Sequence, residues 1–215
     1  MKNITYIEIE KLKPFENHPY KVVENKEMNN LTQSIKENGI LSPFIVRPIE
    51  NGEYEIVSGH RRLFAGKQAG LTKIPAMVCE MDRDTAAVTL VDSNLHRENI
   101  LPSEKAYAYK LKAEALSHQG KRTDLTSGQF VPKSDDNRTS AEIGEPYGES
   151  YKTVQRYIRL TNLHPKLLEY VDEGRIAFTP AVELSYLNDI EQQDLIEIIE
   201  SEDCTPSLSQ AVRMK

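Results

Sequence analysis

The chain has 215 residues, 39% of them hydrophobic and 28% charged, which is enough for one large domain or two small domains with apolar cores. It has no apolar run of the roughly twenty residues that span a bilayer, no secretory signal at its N-terminus, and only two distant cysteines, Cys79 and Cys204, which excludes a cysteine metal cluster and a disulfide framework. The net charge of −6 argues against a nucleic-acid partner, but much of the acid lies between Asp189 and Asp203, and a DNA-binding protein needs only a local basic face.

The N-terminal part of the chain mixes short strands with helices. Met28, Leu31 and Ile35 share one face of a predicted helix that ends at Gly39. An Asn-Gly pair at residues 51–52 separates two β-rich runs and predicts a hairpin. The predicted elements are strands at 5–10, 44–49, 54–57 and 74–79, a helix at 26–38 and a helix from about 61 to 70. This mixture indicates an α+β domain, which we place at residues 1–100.

The rest of the chain is predicted to form an all-α domain at residues 101–215. Pro102 interrupts the chain, and Ser103 is a suitable N-cap for the helix that follows. Residues 120–137 are polar and contain Gly, Pro and Ser, so we expect a flexible loop there. Helices are predicted at 85–94, 103–118, 166–171, 179–187 and 190–200, with two short helices at 139–163 and another starting near 208.

The residues SGHRR follow a predicted strand and open a predicted helix. Gly59 permits a sharp turn after Ser58, and the unpaired amides at a helix N-terminus suit a phosphate. Arg61 and Arg62 add forked donors that match phosphate oxygens, and His60 adds a further donor. The alternative is a surface arginine pair beside a simple turn, and a short motif alone does not decide between the two.

Three segments, in this order, resemble the three conserved boxes of the ParB/RepB partition family. They are residues 38–48 (NGILSPFIVRP), the SGHRR segment, and residues 93–104 (SNLHRENILPSE). The matching positions are Gly39, Pro43, Val46 and Arg47 in the first box, Gly59, Arg61, Arg62 and Ala65 in the second, and Asn94, Arg97, Glu98, Leu101 (displaced by one position), Pro102 and Glu104 in the third. The departures are Ser42, His60, Phe64, Ser93 and Asn99, where the family has Gln, Glu, Arg, Glu and Asp.

The resemblance implies a ParB/sulfiredoxin-like N-terminal domain that binds CTP with Mg²⁺, and two protomers that close as a clamp on DNA. It implies that Asn94 and Glu98 lie beside the metal, which prefers few protein oxygens and several phosphate oxygens. Ser93 replaces a carboxylate near the metal, so we expect at most a slow hydrolysis of CTP to CDP and phosphate. The nucleotide-binding residues implied in this way are Ser58, Gly59, His60, Arg61, Arg62, Asn94, Arg97 and Glu98.

Residues 139–163 have the pattern of a helix-turn-helix. Pro146 is expected to shorten the first helix, Gly148 forms the turn, and Ser150 caps a second helix at 151–160. The second helix has a basic face and no acidic residue, as expected for a recognition helix in the major groove, although an ordinary helical hairpin with a solvated basic face is the alternative. The candidate DNA-binding residues are Thr139, Ser140, Ser150, Tyr151, Lys152, Thr153, Gln155, Arg156 and Arg159.

The sequence therefore predicts a CTP-dependent partition protein that recognises a palindromic, centromere-like site and spreads on DNA for plasmid, mobile-element or chromosome segregation. The expected partners are double-stranded DNA, a second copy of the chain and a ParA-type ATPase, in the cytoplasm at the nucleoid and not at a membrane. The family's C-terminal dimerisation domain has no counterpart in these residues, so we expect a monomer or a weak dimer without ligands.

Three alternatives have different chemistry or different targets. A transcriptional regulator or nucleoid-occlusion factor would use the same domains at other sites. A sulfiredoxin-like enzyme would need a cysteine at the turn after the second strand of the hairpin, where the chain has Ser58 and Gly59. A kinase or nuclease on the same fold would turn over a metal-bound substrate, and the helix-turn-helix argues against it.

Overall fold

The structure is a computed structural model, and it describes residues 4–97, 99–127, 140 and 142–215. The chain divides into two compact units, Met1–Ser93 and Asn94–Lys215. The first unit contains a sheet with helices, and the elements of the second are helical over the described residues. The predicted fold class, an α+β domain followed by an all-α domain, is therefore confirmed.

A five-stranded sheet forms the centre of the first unit. The strands are β1 (Ile4–Glu8), β2 (Leu12–Lys13), β3 (Phe44–Pro48), β4 (Tyr54–Ser58) and β5 (Lys73–Val78), and the first three helices of the chain are α1 (Lys26–Asn38), α2 (His60–Gln68) and α3 (Arg83–Leu95). The strand order is β1-β5-β3-β4-β2, with β3 antiparallel to β4 and parallel to β5. Phe44, Val46, Ile56 and Ile74 are fully buried in its core, so the central strands β3, β4 and β5 carry the apolar face.

The hairpin between β3 and β4 turns on Asn51 and Gly52, as predicted. Their φ angles are 62° and 72°, and the N–H of Glu53 donates to the carbonyl of Glu50 at 3.3 Å. Asn and Gly tolerate this left-handed backbone better than other residues, which is why the pair predicts the turn. α1 also spans the predicted residues and is capped at its C-terminus by Gly39, whose φ is 70°. Local backbone preferences thus fix the register of β3 against β4. The SGHRR segment begins at Ser58, the last residue of β4.

The second unit is a bundle of helices. They are α4 (Pro102–Ser127), α5 (Tyr151–Leu160), α6 (Pro165–Asp172), α7 (Phe178–Leu184), α8 (Asp189–Glu202) and α9 (Leu208–Met214). Residues 142–144 are also helical and lead into a 3-10 turn at Glu145–Tyr147. Leu160, Leu167, Leu184 and Ile199 are fully buried in one core that joins α5 to α8. Among the described helices, none combines the length and the apolar character that crossing a membrane requires.

α4 differs from its prediction at both ends. It begins at Pro102, because proline suits the first helical position, so Ser103 lies inside the helix and the predicted N-cap is wrong. The hydroxyl of Ser103 donates instead to Oδ2 of Asp172 at 2.5 Å. The helix continues to Ser127, so the predicted loop is wrong at 120–127, where no proline interrupts and one glycine costs only about 1 kcal/mol. Residues 128–137 of that loop lie outside the described residues.

Candidate nucleotide pocket and nucleic-acid interface

The turn between β4 and α2 is built around Gly59. Its φ of 125° is a conformation that residues with a side chain rarely adopt, and a Cβ at this position would lie 2.5 Å from the ring of Phe44. Gly59 is also the N-cap of α2, so no side chain at that position accepts from the first amides of the helix. Amides at a helix N-terminus bind anions well. The turn after Ser58 therefore has the backbone that a phosphate site requires.

Arg62 is packed against β3 and the residues that precede it. Its Nη1 donates to the carbonyl oxygens of Ser42 and Pro43, the latter at 3.1 Å, and its Cζ lies 5.1 Å from the ring centroid of Phe44. Burial lowers the pKa of the Arg62 guanidinium, although an arginine stays charged at neutral pH. A guanidinium has five N–H donors, so Nε and Nη2 still have donors for a ligand. Arg62 thus joins the first box to the second.

Arg61 and His60 have different surroundings from Arg62. Arg61 forms an exposed ion pair with Glu27 of α1 at 3.2 Å, and such pairs exchange partners at little cost. The N–H of Phe15 donates to Nε2 of His60 at 3.2 Å, and the His60 ring lies 3.7 Å from the ring of His18. Nε2 of His60 is therefore an acceptor, so a donor from this side chain to a phosphate would have to be Nδ1. Of the two side chains, Arg61 is the one that can reorient toward an anion.

The residues of the third box lie at the end of α3 and just after it. Asn94 is buried, with 7% of its surface exposed, and its carbonyl accepts the N–H of Arg97 at 3.1 Å. Arg97 and Ser93 are exposed, and Glu98 lies outside the described residues. In the described ranges, no three His, Cys, Asp or Glu side chains are grouped so that they could hold a metal ion. A Mg²⁺ ion here would have to take most of its ligands from a bound phosphate and water.

The turn and the second helix of the predicted helix-turn-helix lie where expected. Gly148 has φ 70° and ψ 20°, and Pro146 is part of the 3-10 turn that shortens the first helix. The hydroxyl of Ser150 accepts the N–H of Thr153 at 3.2 Å and caps α5, whose bounds match the prediction. Val154 is fully buried against the core. The position of α5 thus follows from a left-handed glycine, a cap and one apolar stripe.

The outer face of α5 carries Lys152 and Arg156. Lys152 is exposed, while Gln155 and Arg156 are partly exposed. Nη2 of Arg156 donates to Oγ1 of Thr179 at 3.0 Å, and its Cζ lies 4.9 Å from the ring of Phe178 in α7. These contacts are near the surface, so they orient the guanidinium without removing it from solvent. Lys152 and Arg156 therefore form the accessible basic part of the recognition helix.

Arg159, predicted to bind DNA, also contributes to packing. Its Nη2 donates to the carbonyl of Ser185 at 2.9 Å, its Nε donates to the Ser185 hydroxyl at 3.3 Å, and its Cζ lies 4.1 Å from the ring of Tyr186. Ser140 is only 6% exposed, so its hydroxyl is poorly placed to reach a phosphate. Thr139 lies outside the described residues. Of the two candidates that the structure describes, Arg159 is the one with a partly exposed side chain.

Three residues that the sequence interpretation missed lie behind the turn of the helix-turn-helix. Glu149 forms an ion pair with Lys105, and its Oε2 accepts a hydrogen bond from the hydroxyl of Tyr109 at 3.0 Å. Tyr109 is fully buried, and burial together with the nearby Glu149 carboxylate raises the pKa of its hydroxyl. Lys105 and Tyr109 are four residues apart, a spacing that places two side chains on one helix face. This spacing is the one sequence signal that pairs Lys105 with Tyr109, but it does not identify Glu149, 40 residues after Tyr109, as their partner.

Comparisons with known proteins assign both units. The ParB N-terminal domain model matches residues 1–95, and the ParB HTH domain model matches residues 134–207. A probable chromosome 1-partitioning protein ParB from Deinococcus radiodurans is 32% identical over 177 residues, which cover 81% of this chain and 53% of that protein. A nucleoid occlusion protein from Geobacillus thermodenitrificans is 30% identical over 176 residues, which cover 81% of this chain and 55% of that protein. The chain thus spans about half the length of these relatives.

A solved structure has the same fold. The C-terminally truncated chromosome-partitioning protein ParB from Caulobacter crescentus, complexed to the centromeric parS site, is 23% identical, with 98% of this chain and 97% of that chain covered and a TM-score of 0.52. The N-terminal domain model covers the first two boxes, and the HTH domain model covers the helix-turn-helix. The chain therefore belongs to the ParB family, as its three boxes predicted.

Proposed function

We propose that this chain is a CTP-dependent, sequence-specific DNA-binding protein of the partition type. The observation that carries the proposal is α5, a capped helix with an exposed basic face and no acidic residue, which follows the turn at Gly148. A recognition helix in the major groove places its first residues at base edges and its later residues near phosphates. We therefore assign Tyr151, Lys152 and Gln155 to base recognition and Arg156 to base or phosphate.

Further contacts would come from the ends of the recognition helix. Ser150 and Thr153 lie at its N-terminus, where hydroxyl and backbone donors suit a phosphate. Arg159 lies in the last turn of α5, and its contacts with Ser185 leave Nη1 for a phosphate. These contacts would fix the register of the helix and add no sequence information.

Selection of bound duplexes from a random-sequence pool tests DNA recognition. We expect an enriched palindromic motif, because two protomers related by a two-fold axis recognise two half-sites. The affinity for the enriched duplex is expected to fall steeply with salt, because Lys152 and Arg156 would displace counterions from phosphates. Failure to enrich any motif contradicts sequence-specific recognition, whatever the affinity for DNA in general.

For the nucleotide, we propose that the triphosphate of CTP binds at the start of α2. The fit of Gly59 against Phe44, the absence of a capping side chain at Gly59 and the remaining donors of Arg62 support this site. Arg61 would exchange Glu27 for a phosphate. The residues proposed to contact the nucleotide are Ser58, Gly59, His60, Arg61, Arg62, Asn94, Arg97 and Glu98, with Asn94 and Glu98 nearest to a Mg²⁺ ion held mainly by phosphate oxygens.

Calorimetric titration with CTP, ATP and GTP tests the nucleotide site, with and without Mg²⁺ and the selected duplex. We expect binding of CTP in preference to the two purine nucleotides, with lower affinity after chelation of Mg²⁺. Equal affinities for all three would retain a triphosphate site but contradict specificity for CTP. The absence of heat with every nucleotide would contradict the pocket itself while leaving DNA recognition intact.

We further propose that two protomers close on DNA at the nucleoid and spread from the site, with a ParA-type ATPase as partner in segregation of a plasmid, mobile element or chromosome. The similarity to a nucleoid occlusion protein favours a second candidate, a nucleoid-occlusion factor or transcriptional regulator with the same domains. Genome-wide occupancy distinguishes partition from simple regulation. Signal extending over kilobases around a site supports the clamp, whereas narrow, scattered peaks support a regulator.

A further inference from the structure

An acidic residue lies directly before the recognition helix of the proposed DNA interface. Glu149 precedes the N-cap residue Ser150, at the end of the helix that approaches DNA. An exposed carboxylate there would repel the phosphates of a bound duplex. The Glu149 side chain is only 18% exposed and is turned toward α4. Glu149 is therefore not an ordinary solvated surface charge, and its orientation has a structural cause.

Two side chains of α4 bind the Glu149 carboxylate. Nζ of Lys105 forms an ion pair with Oε1, and the hydroxyl of Tyr109 donates to Oε2 at 3.0 Å. The Lys105 side chain is 22% exposed, and Tyr109 is fully buried. The Lys105 ammonium also lies 4.9 Å from the ring centroid of Tyr157, which belongs to α5. The three residues, here called the Glu149 cluster, thus connect α4 to the start and the middle of the recognition helix.

The backbone at Glu149 is equally constrained. Its N–H donates to the carbonyl of Gly144 at 3.0 Å. A Cβ on Gly144 would overlap the carbonyl of Glu149 and would lie 2.9 Å from Cγ2 of Val154. The helical residues 142–144 therefore pack directly against Glu149 and α5, with no room for a side chain at Gly144. Any displacement of Glu149 must move Ser150 and the first turn of α5.

We propose that Glu149 is a positioning residue for base recognition. The Glu149 cluster sets the direction in which α5 leaves the turn, and it neutralises a carboxylate that would otherwise face DNA. This role rests on the proposed recognition of DNA by α5. Largely buried ion pairs stabilise a fold little compared with apolar replacements, but they can select one geometry among several. Glu149→Gln leaves the Lys105 ammonium without its carboxylate, so we expect a loss of stability as well as of specific binding, and binding is compared only in protein that is folded.

The test compares Glu149→Gln with Glu145→Gln on the selected duplex and on a scrambled duplex of equal length. Glu145 is an exposed carboxylate in the same turn, so both variants change the net charge equally. We expect Glu149→Gln to lose affinity for the selected duplex about tenfold, as for other residues coupled through one network. Affinity for the scrambled duplex and its salt dependence should match those of Glu145→Gln, because the two variants change the net charge equally and Glu149 contacts no phosphate. Glu145→Gln should bind both duplexes at least as tightly as the parent, because it removes an exposed carboxylate that repels phosphates.

A second variant covers the case in which Glu149→Gln does not fold, as judged by circular dichroism and thermal unfolding. Tyr109→Phe removes only one hydrogen bond to Glu149 and should weaken specific binding in the same direction by a smaller factor. Parental specificity in a folded Glu149→Gln or, failing that, in Tyr109→Phe overturns the proposal, and so do equal effects of Glu149→Gln and Glu145→Gln. A parent chain that selects no duplex instead contradicts the proposed function, and with it this role of Glu149.

Discussion

Replacing Arg61 and Arg62 by alanine, one at a time, separates nucleotide binding from folding. Arg62 donates to the carbonyls of Ser42 and Pro43 and packs on Phe44. A hydrogen bond from a charged group typically contributes about 1.5–3 kcal/mol. Because the Arg62 side chain is only partly buried, we take about 2 kcal/mol for the loss of all three contacts in Arg62→Ala. The exposed Arg61 pair contributes about 0–1 kcal/mol to folding.

The two substitutions are therefore expected to lower the Tm by different amounts but to lower the CTP affinity alike. In thermal unfolding without nucleotide, a loss of about 2 kcal/mol lowers the Tm by roughly 8–16 °C for a domain of this size. Arg61→Ala should lower it by less than about 8 °C. In calorimetry with CTP and Mg²⁺, both variants should lose at least about tenfold in affinity, because each removes charge-assisted donors to phosphate.

Lys67→Ala provides the matched control, because Lys67 is an exposed cation on the same helix, outside the proposed pocket. It should retain both the Tm and the CTP affinity of the parent. Parental CTP affinity in Arg61→Ala would refute the assignment of Arg61 to the triphosphate. A parental Tm in Arg62→Ala would refute the argument that its carbonyl contacts connect the first box to the second.

Three other predictions address DNA binding, the Gly59 turn and alkaline stability. Arg156→Ala should cost about 1–3 kcal/mol in binding to the selected duplex if Arg156 contacts a base, and unchanged gel shifts at every salt concentration would contradict that role. Gly59→Ala should destabilise the protein by about 1–3 kcal/mol in urea unfolding, because of its φ of 125° and the close Phe44 ring, whereas a parental midpoint would contradict the steric argument. Burial and Glu149 raise the pKa of Tyr109, so the folded state favours the protonated hydroxyl and stability should fall as the pH rises above about 10. That fall should be smaller in Tyr109→Phe, and identical alkaline unfolding curves for the two proteins would show that Tyr109 does not cause it.

The features that the sequence predicted well are those fixed by a few neighbouring residues. The hairpin turn at Asn51 and Gly52 and the cap of α5 at Ser150 depend on backbone preferences that operate within four residues. Residues 120–127 were misinterpreted as a loop because a polar composition alone does not end a helix when no proline lies in that stretch. β2, with only two residues, carries no periodicity of its own and exists because it pairs with β4.

The features that the sequence did not reveal depend on partners far along the chain. The ion pair between Lys105 and Glu149 spans 44 residues, and no periodicity within either segment encodes it. Glu149 also went unrecognised in the sequence, because α5 was interpreted from the stretch without acidic residues, which begins at Ser150, one residue later. A sequence window over the recognition helix that starts at its N-cap residue leaves out Glu149, the residue proposed to orient the helix.

The second box shows the same limit within two adjacent residues. Arg61 and Arg62 are chemically identical and match the family box equally, yet successive residues of a helix point about 100° apart. Arg61 therefore reaches Glu27 on α1, while Arg62 lies over Phe44 and the carbonyls of the first box. A motif specifies which chemistry is present at a turn, but the helical step decides which arginine is available to a ligand and which one also maintains the fold. Substituting both arginines together would confound these effects, and for this reason the variants must be made and measured separately.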